Sequence, residues 1–205
     1  REALEEAADL QVRVVNGVQE LSPFLHQLSR MTYSAGLRYS PRVWQRIYEQ
    51  EKRLSRMFRS PLGKLLRNRL LQKVAEDGWP DVVVATHAYL LPAWAEVKLH
   101  ASHPFVLGSV FTDFHVNSFW VHEAIDFYVV AHDSFAEQLE AEYGISRDKI
   151  HPLGIPVRRP FSSGRNRQKR EWKRLLGLRE DSFTVLFCSG GGGMTDYRPV
   201  VFRLL

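Results

Sequence analysis

The sequence predicts an α/β fold with a Rossmann-like parallel sheet, helices on both faces, a basic helical insertion and the beginning of a second Rossmann-like unit. Three apolar runs rich in β-branched and aromatic residues, at 82–86, 105–111 and 126–131, are typical of strands buried on both faces. Helical segments alternate with these runs, as in consecutive βα units with right-handed crossovers. A further apolar run at 183–188 precedes a run of glycines, which indicates the second unit.

The elements follow in order along the chain. Runs at 10–15, 82–86, 105–111, 126–131 and 149–153 are predicted to be neighbouring parallel strands, and 183–188 a strand of the second unit. Ser-Pro pairs at 22–23, 40–41 and 60–61 predict helix starts, because serine caps the first turn and proline fits the first helical position. They predict separate amphipathic helices over 41–58 and from 61 to the glycine at 78, with later helices at 93–100, 134–143 and 168–176.

Three domain segments are expected. Residues 1–157 form the first Rossmann-like domain, 158–172 a basic linker, and 173–205 the beginning of a second domain. The chain begins at Arg1 within a helical pattern and ends at Leu205 in another, so we expect a fragment of a longer protein.

Charge and composition narrow the function classes. The net charge of +5 is uneven: residues 38–73 hold eleven Lys or Arg against two Glu, so this segment carries +9 and the remainder −4. A local basic face indicates an anionic partner. The apolar fraction of 44% excludes global disorder. Cys188 is the single cysteine, which favours an intracellular location, and no apolar run is long enough to be a transmembrane segment.

Polar residues follow the three central strands at the edge where parallel sheets bind ligands. His87 follows the first, and His132 and Asp133 follow the third. The second leads into a loop with Asp113, His115, Trp120 and His122. Histidine beside a carboxylate can move protons near neutral pH. A structural turn is the alternative interpretation. Asp113, His115 and His122 fit no metal-site spacing, so no metal is predicted.

The glycine run Gly190–Gly193 follows an apolar strand pattern. Glycines let the backbone approach a phosphate closely and point its amides at the anion, so we predict a phosphate-binding loop. A turn without a ligand remains the alternative. The basic helices also have three interpretations: a solvated face, a nucleic-acid surface, or an anionic membrane surface. Trp44, Tyr48, Met57 and Phe58 beside the arginines favour the membrane.

Three stretches carry a family resemblance: PDVVVATHAYLLP, PFVLGSVFTDFHVNSFWVHEAIDFYVVAHDSF and GISRDKIHPLGIPVRRPF. They resemble the acceptor-side domain of the monogalactosyldiacylglycerol synthases and bacterial diacylglycerol glucosyltransferases. LSPFLHQLSRMTYSAGLRYSPRVWQRIY resembles the helical insertion of that family, and LFCSGGGGM the entry to its nucleotide-sugar domain. The similarity extends over nearly the whole chain.

The resemblance implies a GT-B glycosyltransferase that transfers galactose or glucose from a UDP-sugar to diacylglycerol at an anionic membrane. UDP-sugar is the donor substrate, no cofactor is expected, and the enzyme would be cytoplasmic and peripheral on the membrane. The expected acceptor and lipid-binding residues are Pro23, Arg42, Trp44, Arg46, Arg53, His87 and Trp120, and Gly190, Gly191, Gly192 and Gly193 are expected to bind the donor phosphates.

The chain departs from the family pattern at both ends. The family begins with a strand and a glycine-rich loop bearing the proposed base, and this segment is absent, as is most of the donor domain. The catalytic base is therefore unassigned, with Asp113, His115 and His122 as candidates, and the fragment alone is expected to be inactive. Two rivals stay open: a UDP-GlcNAc transferase with a polyprenyl-linked acceptor, and a non-enzymatic basic module binding membrane or nucleic acid. We predict no nucleic-acid partner.

Overall fold

The computed structural model of this chain describes residues 10–17, 19, 23, 27, 31, 49–159, 161, 168–188 and 196–204. The chain divides into two compact units, Arg1–Ile155 and Pro156–Leu205. The domain limits placed at 157 and 172 from the sequence remain predictions.

The first unit contains a four-stranded parallel sheet in the order β1-β2-β3-β4. The strands are β1 (Val82–Ala85), β2 (Val106–Val110), β3 (Phe127–Val129) and β4 (Ile150–His151). Val82 pairs with Val106, Gly108 with Phe127, and Tyr128 with Ile150. The predicted α/β Rossmann-like fold and the parallel direction of these four strands are confirmed.

Two predicted strands are wrong. Residues 10–15 have no regular structure and are mostly exposed; the Arg13 side chain instead forms an ion pair with Asp77 at 2.6 Å. Residues 183–188 also form no strand, and Phe183 and Leu186 are 90% and 87% exposed. An apolar run becomes a strand only where a neighbouring strand takes up its backbone hydrogen bonds. The described part of the second unit offers residues 183–188 no such neighbour.

A single long helix, α1 (Glu51–Asp77), corrects the prediction of a break at Ser60-Pro61. Pro61 lies inside it, although proline removes one backbone hydrogen bond. Packing explains the continuity: buried side chains on both sides of the proline, from Ser55 to Leu70, keep α1 against its neighbours, chiefly α2 (Leu91–His100). At Gly63 the two helices approach so closely that a Cβ atom would lie 2.9 Å from the Pro92 carbonyl oxygen.

The core of the first unit lies between the sheet and these helices. Leu91, Leu107, Trp120 and Tyr128 are almost fully buried in it. Helix α3 (Asp133–Tyr143) follows β3, and Gly144 ends it in the left-handed conformation, at φ 66°. This layering leaves the loops after β1, β2 and β3 at one edge of the sheet.

The described residues of the second unit include two short helices, α4 (Lys169–Leu175) and α5 (Arg198–Leu204), and Arg159 and Phe161 are also helical. The Lys173 side chain is buried, and its Nζ donates hydrogen bonds to the backbone carbonyls of Glu180 and Ser182. These contacts fix the turn after α4 to the helix.

Candidate functional site

The loops after β1 and β2 are joined at the carboxyl edge of the sheet. The Thr112 hydroxyl, just beyond β2, donates a hydrogen bond to the Thr86 carbonyl just beyond β1, at 3.3 Å. This contact brings His87 and Asp113, the next residues in their loops, to the same part of the edge. The sequence predicted this meeting from the parallel direction of the strands.

Asp113 is oriented by Trp120. The indole Nε1–H donates to Asp113 Oδ2 at 3.3 Å, and the indole lies 5.0 Å from the Phe111 ring, centroid to centroid. Trp120 belongs to a one-turn 3₁₀ helix, Ser118–Trp120, whose start is capped by Asn117. Asp113 itself is exposed, so its second carboxylate oxygen is open to a ligand.

The position of Trp120 bears on its predicted role in lipid contact. Only 2% of its surface is exposed, so it is a core residue whose polar contact is made with Asp113. A direct contact with lipid would require the indole to leave the core. Contact with the acceptor through Asp113 requires no such movement.

His87 lies beside this pair. Its Nδ1 accepts the backbone N–H of Tyr89 at 3.3 Å, and the ring centroids of Tyr89 and Trp120 lie 4.4 and 6.4 Å from that of His87. Because Nδ1 is the acceptor, the neutral ring carries its proton on Nε2. Burial of part of the ring lowers the pKa of His87, and the nearby Asp113 carboxylate opposes that shift.

The side chains of His122 and His132 both make local hydrogen bonds to the backbone. The ring of His122 is turned toward its own chain, where Nδ1 accepts the N–H of Ala124 at 3.1 Å. The backbone of His122 also holds the Tyr128 hydroxyl, which donates to its carbonyl at 2.9 Å. His132, predicted at the same edge, caps α3 by accepting the N–H of Ser134.

His115 is exposed and lies toward the end of α3. Hydrogen bonds from Lys52 and Gln138 lower the pKa of Glu142, and the charge of His115 acts in the same direction. Lys52 forms an ion pair with Glu142 and lies 5.1 Å from the centre of the Tyr143 ring. The loop after β2 therefore lies near the beginning of the basic helix α1.

The structure thus brings together His87, Asp113 and Trp120 of the predicted site residues. Tyr89 and Glu142 were missed by the sequence analysis. Tyr89 had a usable signal, since it follows a strand-end histidine by two residues, whereas Glu142 lies in an ordinary amphipathic helix. Among the described residues, no three His, Cys, Asp or Glu side chains are grouped closely enough to hold a metal ion.

Several predicted contacts lie outside the described residues: Arg42, Trp44, Arg46 and Gly190–Gly193. Pro23 is helical and exposed, and Arg53 is exposed on the first turn of α1. No helix in the part of the chain that the structure describes is long and apolar enough to span a bilayer.

Comparison with known proteins identifies relatives of the whole first unit. The profile of the family described as Monogalactosyldiacylglycerol (MGDG) synthase matches residues 1–157. An uncharacterized glycosyltransferase, YkoN of Bacillus subtilis, is 29% identical over 143 residues, which are 67% of this chain and 37% of that protein. A processive diacylglycerol beta-glucosyltransferase of Bacillus licheniformis is 25% identical over 183 residues, 89% of this chain and 46% of that protein. The chain spans less than half the length of these relatives.

Proposed function

Since this chain belongs to the MGDG synthase family, we propose that it is part of a membrane-associated hexosyltransferase of glycolipid synthesis. The enzyme transfers galactose or glucose from a UDP-sugar to the hydroxyl of diacylglycerol. The observation that carries the proposal is the His87–Asp113–Trp120 group, which presents polar atoms at the carboxyl edge of a parallel sheet, next to a basic helix. The diacylglycerol glucosyltransferases of Bacillus, with 24% to 25% identity, support the choice of acceptor.

The acceptor side of this proposal rests on Asp113 and His87. One Asp113 oxygen is occupied by the indole N–H of Trp120, which leaves the other to accept a hydrogen bond from the acceptor hydroxyl. Such a bond aligns the hydroxyl oxygen for attack on the anomeric carbon, and an ionised carboxylate also draws off its proton as the bond forms. His87 offers Nε2–H as a donor to a neighbouring oxygen of the acceptor. His115 and His122 remain candidates for the proton transfer.

The donor side of the proposal rests on the glycine run. Amides of Gly190–Gly193 would hold the UDP pyrophosphate and stabilise the charge that develops as it leaves. The reaction so described uses no cofactor, because the UDP-sugar itself supplies both the hexose and the leaving group.

The membrane part of the proposal assigns peripheral binding to the basic segment. Each Lys or Arg near an anionic surface contributes roughly 1 kcal/mol, an attraction that salt screens. An Arg42/Arg46/Arg53→Gln variant should therefore lose binding to anionic vesicles at low salt. A Trp44→Ser variant should lose the fraction of binding that resists salt. Equal binding of both variants and wild type to neutral and anionic vesicles would refute this assignment.

Kinetics of the full-length product of the reading frame test the acceptor site. The assay measures UDP release with diacylglycerol in vesicles and UDP-glucose or UDP-galactose as donor. Asp113→Asn should lower turnover by about 100-fold. Asp81→Asn is the matched control, because Asp81 is also exposed but precedes β1, at the opposite edge of the sheet. Equal rates in the two variants would show that Asp113 has no role in the reaction. Turnover only with a polyprenyl-linked acceptor would favour the rival transferase.

A further inference from the structure

Two of the aromatic residues in the loop after β2 have opposite environments. Trp120 is 2% exposed, whereas Phe114 is 82% exposed. A single exposed apolar side chain is common on protein surfaces and carries no argument alone. The position of Phe114 in its loop makes it informative.

Phe114 is held away from the core by its neighbours. On one side Asp113 is hydrogen-bonded to the indole of Trp120, and on the other Val116 is buried, with 1% of its surface exposed. With both neighbours fixed, the intervening residues 114 and 115 form the exposed tip of the loop. The phenyl ring of Phe114 therefore stands at the tip of a loop that is fixed on both sides.

The surroundings of Phe114 combine apolar and basic groups. Its neighbour His115 interacts through its charge with Glu142. Glu142 forms an ion pair with Lys52 in the first turn of α1. The same end of α1 exposes Arg53 and Met57, the latter to 55%. From residue 52 to residue 73, α1 contains eight Lys or Arg and no Asp or Glu. Basic residues beside exposed apolar side chains are the chemistry that binds an anionic lipid surface.

We propose that Phe114 is the side chain by which the loop after β2 enters the bilayer, where it contacts the acyl chains of the acceptor lipid beside Asp113. This inference rests on the proposed function and adds to it a specific contact. It transfers the lipid contact expected of Trp120 to Phe114, and leaves Trp120 to orient Asp113. Basic residues of α1 hold the loop at the surface, while the phenyl ring enters the outer acyl layer.

Vesicle binding of the full-length protein tests the contact. The vesicles contain phosphatidylcholine with or without phosphatidylglycerol, and sedimentation measures the bound fraction. Phe114→Ala should weaken partitioning by about tenfold, which corresponds to the loss of one buried phenyl group. Phe114→Leu should retain most of the binding, because it keeps an apolar side chain. Leu99→Ala is the matched control: Leu99 is 53% exposed and lies in the last turn of α2, near the opposite edge of the sheet.

A fluorescent label reports insertion directly. Phe114→Cys, in a background in which Cys188 and any other cysteine are replaced by serine, is labelled with an environment-sensitive dye. The label should shift to shorter wavelength on vesicle binding and be quenched by brominated acyl chains, and a label at Leu99→Cys should not. No shift at 114 in vesicle-bound protein would overturn the inference.

The outcomes separate this inference from the proposed function. Wild-type protein that binds no vesicles would overturn both the membrane assignment and the Phe114 contact. Wild-type binding that Phe114→Ala leaves unchanged would overturn only the Phe114 contact. Light scattering without lipid measures self-association of the protein. Self-association that is lost in Phe114→Ala would assign Phe114 to a contact between copies of the protein and would overturn its insertion into the bilayer.

Discussion

Replacing Trp120 by phenylalanine tests how Asp113 is held. The substitution removes the indole N–H that donates to Asp113 Oδ2 at 3.3 Å, and keeps an aromatic ring near Phe111. A hydrogen bond to a charged group contributes about 1.5–3 kcal/mol. Water can replace the indole at Asp113, because Asp113 is exposed, so the net loss is at the low end of that range. The smaller ring adds about 1 kcal/mol for the space it leaves in the core.

The free energy of unfolding should therefore fall by about 2.5 kcal/mol in Trp120→Phe, as measured by urea denaturation. Turnover of the full-length enzyme should fall about tenfold, since Asp113 loses the bond that orients it. Asp113→Asn keeps an acceptor oxygen for the indole and should change stability by less than about 1 kcal/mol, while it lowers turnover further. A double-mutant cycle should give a coupling of about 0.5–1.5 kcal/mol between the two positions. Additive effects on both stability and turnover would refute the orienting role of Trp120.

Two other predictions concern His87 and Gly63. NMR titration should give His87 a pKa below about 6.5, because its protonated form is disfavoured by burial, and Asp113→Asn should lower that pKa further by removing the opposing carboxylate. Because the folded protein disfavours protonated His87, the free energy of unfolding should decrease as pH falls below about 6.5. An unchanged or higher His87 pKa in Asp113→Asn would contradict the proximity of the two groups. Gly63→Ala should destabilise the protein by about 1–3 kcal/mol, although alanine is the better helix former, because its Cβ would lie 2.9 Å from the Pro92 carbonyl oxygen. Asn68→Ala on the exposed side of α1 is the control. Stabilisation by both substitutions would show that α1 and α2 can move apart at Gly63 without a loss of stability.

The sheet could be predicted from the sequence because its strands are apolar runs that end at polar residues, although Val82 and Val84 of β1 are exposed. The four strands from β1 to β4 satisfied one another's hydrogen bonds, so the local pattern and the tertiary structure agreed. Residues 10–15 and 183–188 show the same apolar pattern without a paired neighbour, and they form no strands. Pattern alone does not report whether a partner strand is present.

Local helix signals failed in a different way. The Ser60-Pro61 pair has the features of a helix start, yet α1 continues through it, with Ser55 buried before the proline and Leu66 and Leu70 buried after it. At the site, strand ends predicted that His87 and Asp113 would share one edge. The sequence could not predict that the Trp120 indole would turn inward to Asp113, since this depends on the 3₁₀ turn that Asn117 caps. The exposure of Phe114 could not be predicted either, because it depends on the same loop conformation.

Identification of the lipid product tests the central proposal most directly. Full-length protein is incubated with vesicles containing phosphatidylglycerol and diacylglycerol, and with UDP-glucose or UDP-galactose in separate reactions. Mass spectrometry of the extracted lipids should find diacylglycerol carrying a hexose with one of the two donors, together with an equal amount of UDP. Release of UDP without a glycosylated lipid, or folded protein that binds the vesicles and forms no product with either donor, would contradict the proposed transfer to diacylglycerol.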